Sequence, residues 1–276
     1  MPKAPLPTTP LLRKFEQDFS SRIAAVEAAE KWDNVGFLLE SPRAASYSKL
    51  RVLTCIDLTN EVVSEATNMN CNLIFTYHPV MFRAVQSLSL LHQAPILRCA
   101  DAGISIFSPH TALDNAPDGM NDFMCDLFGT TESVRTGVRL DSVTGIQIGR
   151  ISVLSSPMSL QAVIHILKSQ LGLSSVRYAC PTDAPLASVE IKSIAVCVGS
   201  GSSVLMGAPA DLYLTGEMTH HDILACISAG KTVILLDHSS SERPYLPKLA
   251  ERLSQLENIS EVFISKADRE PIRVAY

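Results

Sequence analysis

No apolar run in this chain of 276 residues is long enough to cross a bilayer, so no segment reads as transmembrane and no membrane association is expected. The Pro-rich start MPKAPLPTTP lacks the apolar core of a secretory signal, and the early acids Glu16 and Asp18 speak against a mitochondrial presequence. A soluble, intracellular and cytoplasmic protein is the expectation, with mitochondrial or nuclear placement left open. There is no Cys-x-x-Cys pair. The seven cysteines (55, 71, 99, 125, 180, 197 and 226) are odd in number and scattered, which points to packed, reduced thiols rather than a disulfide frame or a thiolate zinc site. There is no Lys/Arg run and the formal net charge is −5, so direct nucleic-acid binding has no support.

What the chain does have is apolar residues, 46% of the total, enough for a large core and two domains. Leu11 to Glu30 reads as helix, interrupted near Ser20–Ser21. LRVLTCID, CNLIFTY and ISIFSPH read as strands, separated by NEVVSEATNMN and SLLHQAPILRCADAG as helices, with GMNDFMCDLFG as a helix after them. Such alternation means βαβ units with right-handed crossovers. After about Thr130 the signal weakens to TGIQIGRISVL, SLQAVIHILKSQLG and SSVRYAC, as strand, helix and strand. Beyond the polar link PTDAPLASVE the alternation resumes through IKSIAVCVGSG, ADLYLTG, HHDILACISAG and TVILLDH, and closes on a helix through Leu246–Gln255. The expected architecture is α/β in two domains, 1–130 and 131–276, each a mostly parallel sheet flanked by helices. The last segment is able to pack back on the first domain.

One device occurs twice. His110 and Asp114 in SPHTALD, and His238 and Glu242 in DHSSSERP, each set a histidine after an apolar run and a carboxylate four residues later. His78 in FTYHP follows a third such run. Short aliphatic runs bounded by turn residues read as buried strands, which puts all three histidines at strand C-termini, where ligands bind in open α/β sheets. Three imidazoles and two carboxylates, His78, His110, Asp114, His238 and Glu242, form the ligand set of a two-metal site between the halves. Their chemistry suits Zn, Fe, Mn, Ni or Co better than Ca or Mg. The halves also align locally, CNLIFTYH…CADAGISIFSPHTALD with ADLYLTGE…CISAGKTVILLDHSSSE, as an ancient duplication would leave them.

The stretches WDNVGFLLE, TCIDLTNEVV, TYHP, SPHTALDNAPDGMND, VCVGSGSS, DLYLTGEMTHHD and LLDHSSSERP, in this order, resemble the YbgI / NIF-three-like family of dinuclear-metal proteins. Some members of that family are described as type 2 GTP cyclohydrolases. The resemblance implies the NIF-three-like fold, a ring-shaped homohexamer with metal sites facing an internal cavity, and the same five residues as ligands of two divalent ions. Where the family's motif has two adjacent histidines this chain has Tyr77–His78, so one metal is expected to lose an imidazole, with a water or the phenol oxygen near it.

The function implied is metal-dependent hydrolysis of a small phosphorylated or nucleotide-like substrate. Glu242 or Asp114 would bridge the metals, and His221, at a helix start after a strand end, would serve as general acid or base. An adaptor that binds a transcriptional co-regulator and a metal storage or delivery protein are the alternatives. Two further features have ordinary explanations beside functional ones. VGSGSS can bind an anion through its amides or simply make a tight turn. Trp32-Asp33-Asn34 can line the cavity or be packing and turn chemistry.

Overall fold

A computed structural model describes residues 6–129, 135–273 and 275, and the chain forms two compact units. The first contains residues 1–116 and 245–276, the second 117–244. The expected domain boundary at 130/131 falls outside the described residues. Along the chain, the first unit begins with α1 (Pro10–Arg22), β1 (Gly36–Leu39), β2 (Leu50–Cys55), α2 (Asn60–Asn68), β3 (Leu73–Thr76), α3 (Ala94–Ala102), β4 (Ser105–Ser108) and α4 (Thr111–Asn115). The second unit holds α5 (Met120–Asp126), β5 (Arg135–Thr136), β6 (Arg139–Leu140), β7 (Gln147–Ile148), β8 (Arg150–Ser159), α6 (Leu160–Leu171), β9 (Arg177–Ala179), β10 (Glu190–Cys197), α7 (Ser202–Leu205), β11 (Leu212–Thr215), α8 (His220–Ser228) and β12 (Thr232–Leu235). The chain then completes the first unit with α9 (Leu246–Ser254) and β13 (Ile259–Ile264).

In the first unit the strands run β1-β4-β3-β2-β13. All neighbours are parallel except the antiparallel edge pair β1 and β4. Its central strands β3 and β4 are buried on both faces because helices cover both. The period-2 alternation of a strand sends Phe75 and Phe107 toward α1, where they meet Phe15 and Phe19 with ring centroids 5.1 to 5.5 Å apart. It sends Ile74 and Ile106 the other way, into a cluster with Val62, Val63 and Ala66 of α2 and Ile96 and Cys99 of α3.

In the second unit the order is β5-β8-β10-β11-β12-β9. Its parallel centre β10-β11-β12 is flanked by antiparallel strands. Ala195, Tyr213, Val233 and Leu235 pack there with Leu205 of α7 and Cys226 of α8. A buried ion pair, Arg150 Nε to Asp122 Oδ1 at 2.7 Å, joins β8 to α5. Each unit thus repeats one motif of strand, helix and adjacent parallel strand, β3-α3-β4 in the first and β11-α8-β12 in the second.

Four local expectations are corrected. The first helix ends at Arg22 rather than Glu30; the amides of Ile23 and Ala24 both donate to Phe19 O, which closes the helix, and only a 3-10 turn at Val26–Ala28 follows. The third helix begins at Ala94 rather than Ser89 because Pro95 has no amide to donate and suits only a first turn. The strand expected over TGIQIGRISVL is broken at Gly149, which has φ +63°. One parallel strand, β13, was not read from the sequence at all. It lies on the sheet edge with an exposed, charged face: Arg51 of β2 pairs with its Glu261 and sits 4.7 Å over the Phe263 ring. Among the described residues no helix is long and apolar enough to cross a membrane.

Candidate functional site

In the first unit, β2, β3 and β4 are neighbouring parallel strands, so their following loops emerge along one sheet edge. Asp57 comes two residues after β2, His78 two after β3 and His110 two after β4. The rings of His78 and His110 have centroids 5.6 Å apart. His78 Nδ1 lies 2.9 Å from Asp57 Oδ1, and His110 Nδ1 lies 2.8 Å from Asp33 Oδ1. Asp33 is 2% exposed. Its other oxygen accepts from the Thr111 amide at 3.1 Å and the Thr111 hydroxyl at 2.6 Å. Burial alone would raise this carboxyl, but the hydrogen bond and electrostatic attraction of His110 and the bonds from Thr111 together hold it below the ordinary aspartate value.

Asp33 also holds backbone strain. His110 has φ +37°, a conformation that a residue with a side chain rarely adopts and that persists only where the surroundings enforce it. The same carboxylate grips the His110 ring and the next residue's amide. Asp114 sits in α4, and the buried Tyr77 hydroxyl donates to its Oδ1 at 2.7 Å. A phenol that donates is protonated, so Tyr77 acts here as the orienting partner of a candidate ligand rather than as an anionic ligand itself.

The second unit carries a matching set. Glu217 follows β11 by two residues and His238 follows β12 by three. His238 Nδ1 lies 2.9 Å from Glu217 Oε1, and its Nε2 lies 3.3 Å from Oε1 of Glu242, which is 2% exposed. The glycine turn after β10 makes room for this pair. A Cβ on Gly199, whose φ is +63°, would meet Glu242 Oε1 at 2.6 Å and His238 Nε2 at 3.3 Å. Three amides of the turn donate within the protein: Val198 to Asn121 Oδ1 at 3.0 Å, Gly199 to Ser241 Oγ at 2.8 Å and Gly201 to Thr215 Oγ1 at 3.0 Å. VGSGSS is therefore a close-packed turn beside the candidate ligands, with these three amides bound inside the protein. His221 is exposed on the first turn of α8, with its ring 5.5 Å from that of His220.

All three imidazoles thus share one arrangement, a carboxylate at Nδ1. A neutral imidazole that donates Nδ1–H to a carboxylate keeps its lone pair on Nε2, in the tautomer and orientation that a metal ligand needs. Within each unit these imidazole and carboxylate donors, His78 in the first and His238 with Glu242 in the second, are candidate metal ligands of a kind suited to first-row transition ions and zinc. The crowding of Gly199 against Glu242 and His238 shows that the fold keeps even a methyl group away from these two donors. Asp57 escaped the sequence reading as a site residue, and Asp33 entered it only within the Trp32-Asp33-Asn34 stretch, not as a partner of His110. The signal for Asp57 was present, since it ends an apolar run as the histidines do.

The chain matches the family model Duf34/NIF3 (NGG1p interacting factor 3) over residues 14–271. It belongs to this family. It is 37% identical over 266 residues to NGG1-interacting factor 3 of Saccharomyces cerevisiae, covering 90% of this chain and 91% of that protein. It is 30% identical over 339 residues to NIF3-like protein 1 of Homo sapiens, covering 91% and 89%. Among solved structures, a Staphylococcus aureus hypothetical protein matches with TM-score 0.80 at 23% identity, over 96% of this chain and 99% of that one. A Bacillus cereus protein related to NIF3 matches with TM-score 0.78 at 16% identity, over 99% and 100%. The ybgI protein matches with TM-score 0.76 at 18% identity, over 91% and 96%. At these identities the structural likeness is one of fold, and the fold is the α/β, NIF-three-like one that the sequence motifs imply.

Proposed function

We propose that this NIF3-family protein is a divalent-metal-dependent hydrolase of a small phosphorylated or nucleotide-like substrate, a GTP cyclohydrolase-like reaction being the narrow version. The observation that carries this reading is the carboxylate at Nδ1 of each of three strand-end histidines. His78, His110, Asp114, His238 and Glu242 would hold two divalent ions, with Asp114 or Glu242 shared by both. Bound metal supplies Lewis-acid charge for a developing oxyanion and makes water acidic enough to deprotonate near neutral pH. The chain's own work is positioning: Asp57, Asp33 and Glu217 fix the imidazole tautomers, Tyr77 orients Asp114, and Gly199 leaves space at Glu242. His221, exposed at the start of α8, is our candidate for proton transfer to or from substrate. We also propose assembly into a closed ring of six copies, for which light scattering should return several times the 29.9 kDa of one chain.

The test is metal analysis of the protein purified without chelator, with a phosphoester and nucleotide hydrolysis screen on wild type, His110→Ala and His238→Ala. Both variants should lose most bound metal and all turnover while keeping their circular dichroism. Undiminished metal in both would overturn the ligand assignment. A second reading is favoured by the name of the yeast relative, an NGG1-interacting factor: a metal-containing adaptor for a transcriptional co-regulator. It predicts bound metal, no turnover on any substrate, and retention of a protein partner in His238→Ala.

A further inference from the structure

Trp32, the only tryptophan of the chain, is 47% exposed, and Phe82 is 48% exposed. Large aromatic rings left in water need an explanation when they occur together, and these two lie with centroids 5.7 Å apart at 56°. Both also stand nearly perpendicular to the His110 ring, Trp32 at 5.9 Å and 79° and Phe82 at 6.1 Å and 80°. Their backbones are fixed from within. Asn34 Nδ2 donates to Met81 O at 2.6 Å, which bolts the Trp32 turn to the segment bearing Phe82. Next door, Asp33 is buried and bound to His110 and Thr111. In the tripeptide Trp32-Asp33-Asn34 the two polar side chains lock the turn while the aromatic one is held out to solvent. Phe82 also lines a cavity of about 250 Å³ together with Val80, Arg83, Val85 and His92, so there is room beside the rings.

We infer that Trp32 and Phe82 form a stacking notch that seats the planar heteroaromatic ring of the substrate, a nucleobase or a ring like it, beside His110. This rests on the hydrolase reading above and deepens it by naming the part of the substrate that is recognised. A rigid pair of rings gains stacking energy with little ordering cost, because each side chain has only two rotatable bonds and neither backbone needs to move. Stacking of a base on a single aromatic residue contributes roughly ten- to a hundredfold in affinity. Trp32 and Phe82 would therefore act as specificity-determining residues for the ring, while the metal donors deal with the group that reacts.

Because the chain has a single tryptophan, its fluorescence reports the notch directly. The metal-loaded protein is titrated with GMP, with guanosine and with ribose 5-phosphate, with excitation at the red edge of the indole band. GMP and guanosine should quench Trp32 saturably and ribose 5-phosphate should not. Phe82→Leu should weaken the GMP midpoint roughly tenfold with metal content unchanged, and Trp32→Leu, followed by calorimetry, should weaken it at least as much. The proposal is overturned if neither GMP nor guanosine quenches saturably, if ribose 5-phosphate displaces GMP completely, or if Phe82→Leu leaves the midpoint where it was. Failure of the metal reading looks different: protein without metal that still shows ring-dependent, Phe82-dependent quenching keeps the notch and loses the hydrolase.

Discussion

Replacing Asp33 by asparagine tests the central physical idea, that a buried carboxylate holds a strained turn so that His110 presents Nε2. Asp33 Oδ1 takes bonds from His110 Nδ1 and the Asn34 amide, both 2.8 Å away, and Oδ2 takes the Thr111 amide and hydroxyl. An asparagine has only one oxygen. Whichever way its amide turns, an NH2 group faces a backbone N–H in a place with almost no water. One donor left unpaired costs about 1–3 kcal/mol, and replacing a charge-assisted bond to His110 by a neutral one costs about 1 more. Asp33→Asn should thus destabilise the first unit by about 2–4 kcal/mol, measured by urea unfolding followed by circular dichroism. If His110 is a metal ligand as proposed, loss of the partner that orients it should also weaken metal affinity about 10–100-fold, measured by chelator competition. The control is built into the fold, because Asp57 and Glu217 make the same contact from partly exposed positions. Asp57→Asn and Glu217→Gln should weaken metal as much while shifting stability by no more than about 0.5 kcal/mol, since exposed pairs contribute little. The reasoning fails if Asp33→Asn is as stable as wild type, or if it binds metal with unchanged affinity.

Tyr77→His should tighten the weaker of two metal-binding steps by about tenfold, or about 1.4 kcal/mol, because an imidazole replaces a protonated phenol; calorimetry on metal-free protein with Zn or Mn would show two separated steps in wild type and closer ones in the variant. Gly199→Ala places a methyl group 2.6 Å from Glu242 Oε1 at φ +63°, so it should cost at least about 1–2 kcal/mol from the backbone alone and reduce metal content, whereas Gly230→Ala, with φ +75° and open space around it, should cost only the backbone part. Glu40 accepts from the amides and hydroxyls of both Thr8 and Thr9 at the start of α1; burial works against its charge, but these bonds bring its carboxyl down to about 2. Its folded value lies below the ordinary 4.5, so its stabilisation is complete above that pH and is lost as pH falls through about 2. Glu40→Gln should flatten the stability profile over that window, and an unchanged acid limb would refute the assignment.

The strands β2, β3, β4, β10, β11 and β12 are legible in the chain itself because each is a short apolar run ending at turn residues, and burial on both faces demands that composition. Their histidines are legible for the same reason: a polar residue directly after a buried run emerges at the sheet's C-terminal edge. Strand β13 is not legible, since an edge strand with one wet face, ISEVFI, carries no such signature, and its pairing with β2 joins residues about two hundred positions apart in the chain. Tertiary structure alone also decided which carboxylates serve the imidazoles. Asp33 stands 77 residues from His110, and Asp57 and Glu217 each stand 21 residues from their histidines, separations that no local spacing rule can reach. The residue types state which chemistry is available. Which proton each ring keeps is settled only where parallel strands bring distant loops to one edge, because a hydrogen bond of 2.8 or 2.9 Å is a fact about space and not about order along the chain.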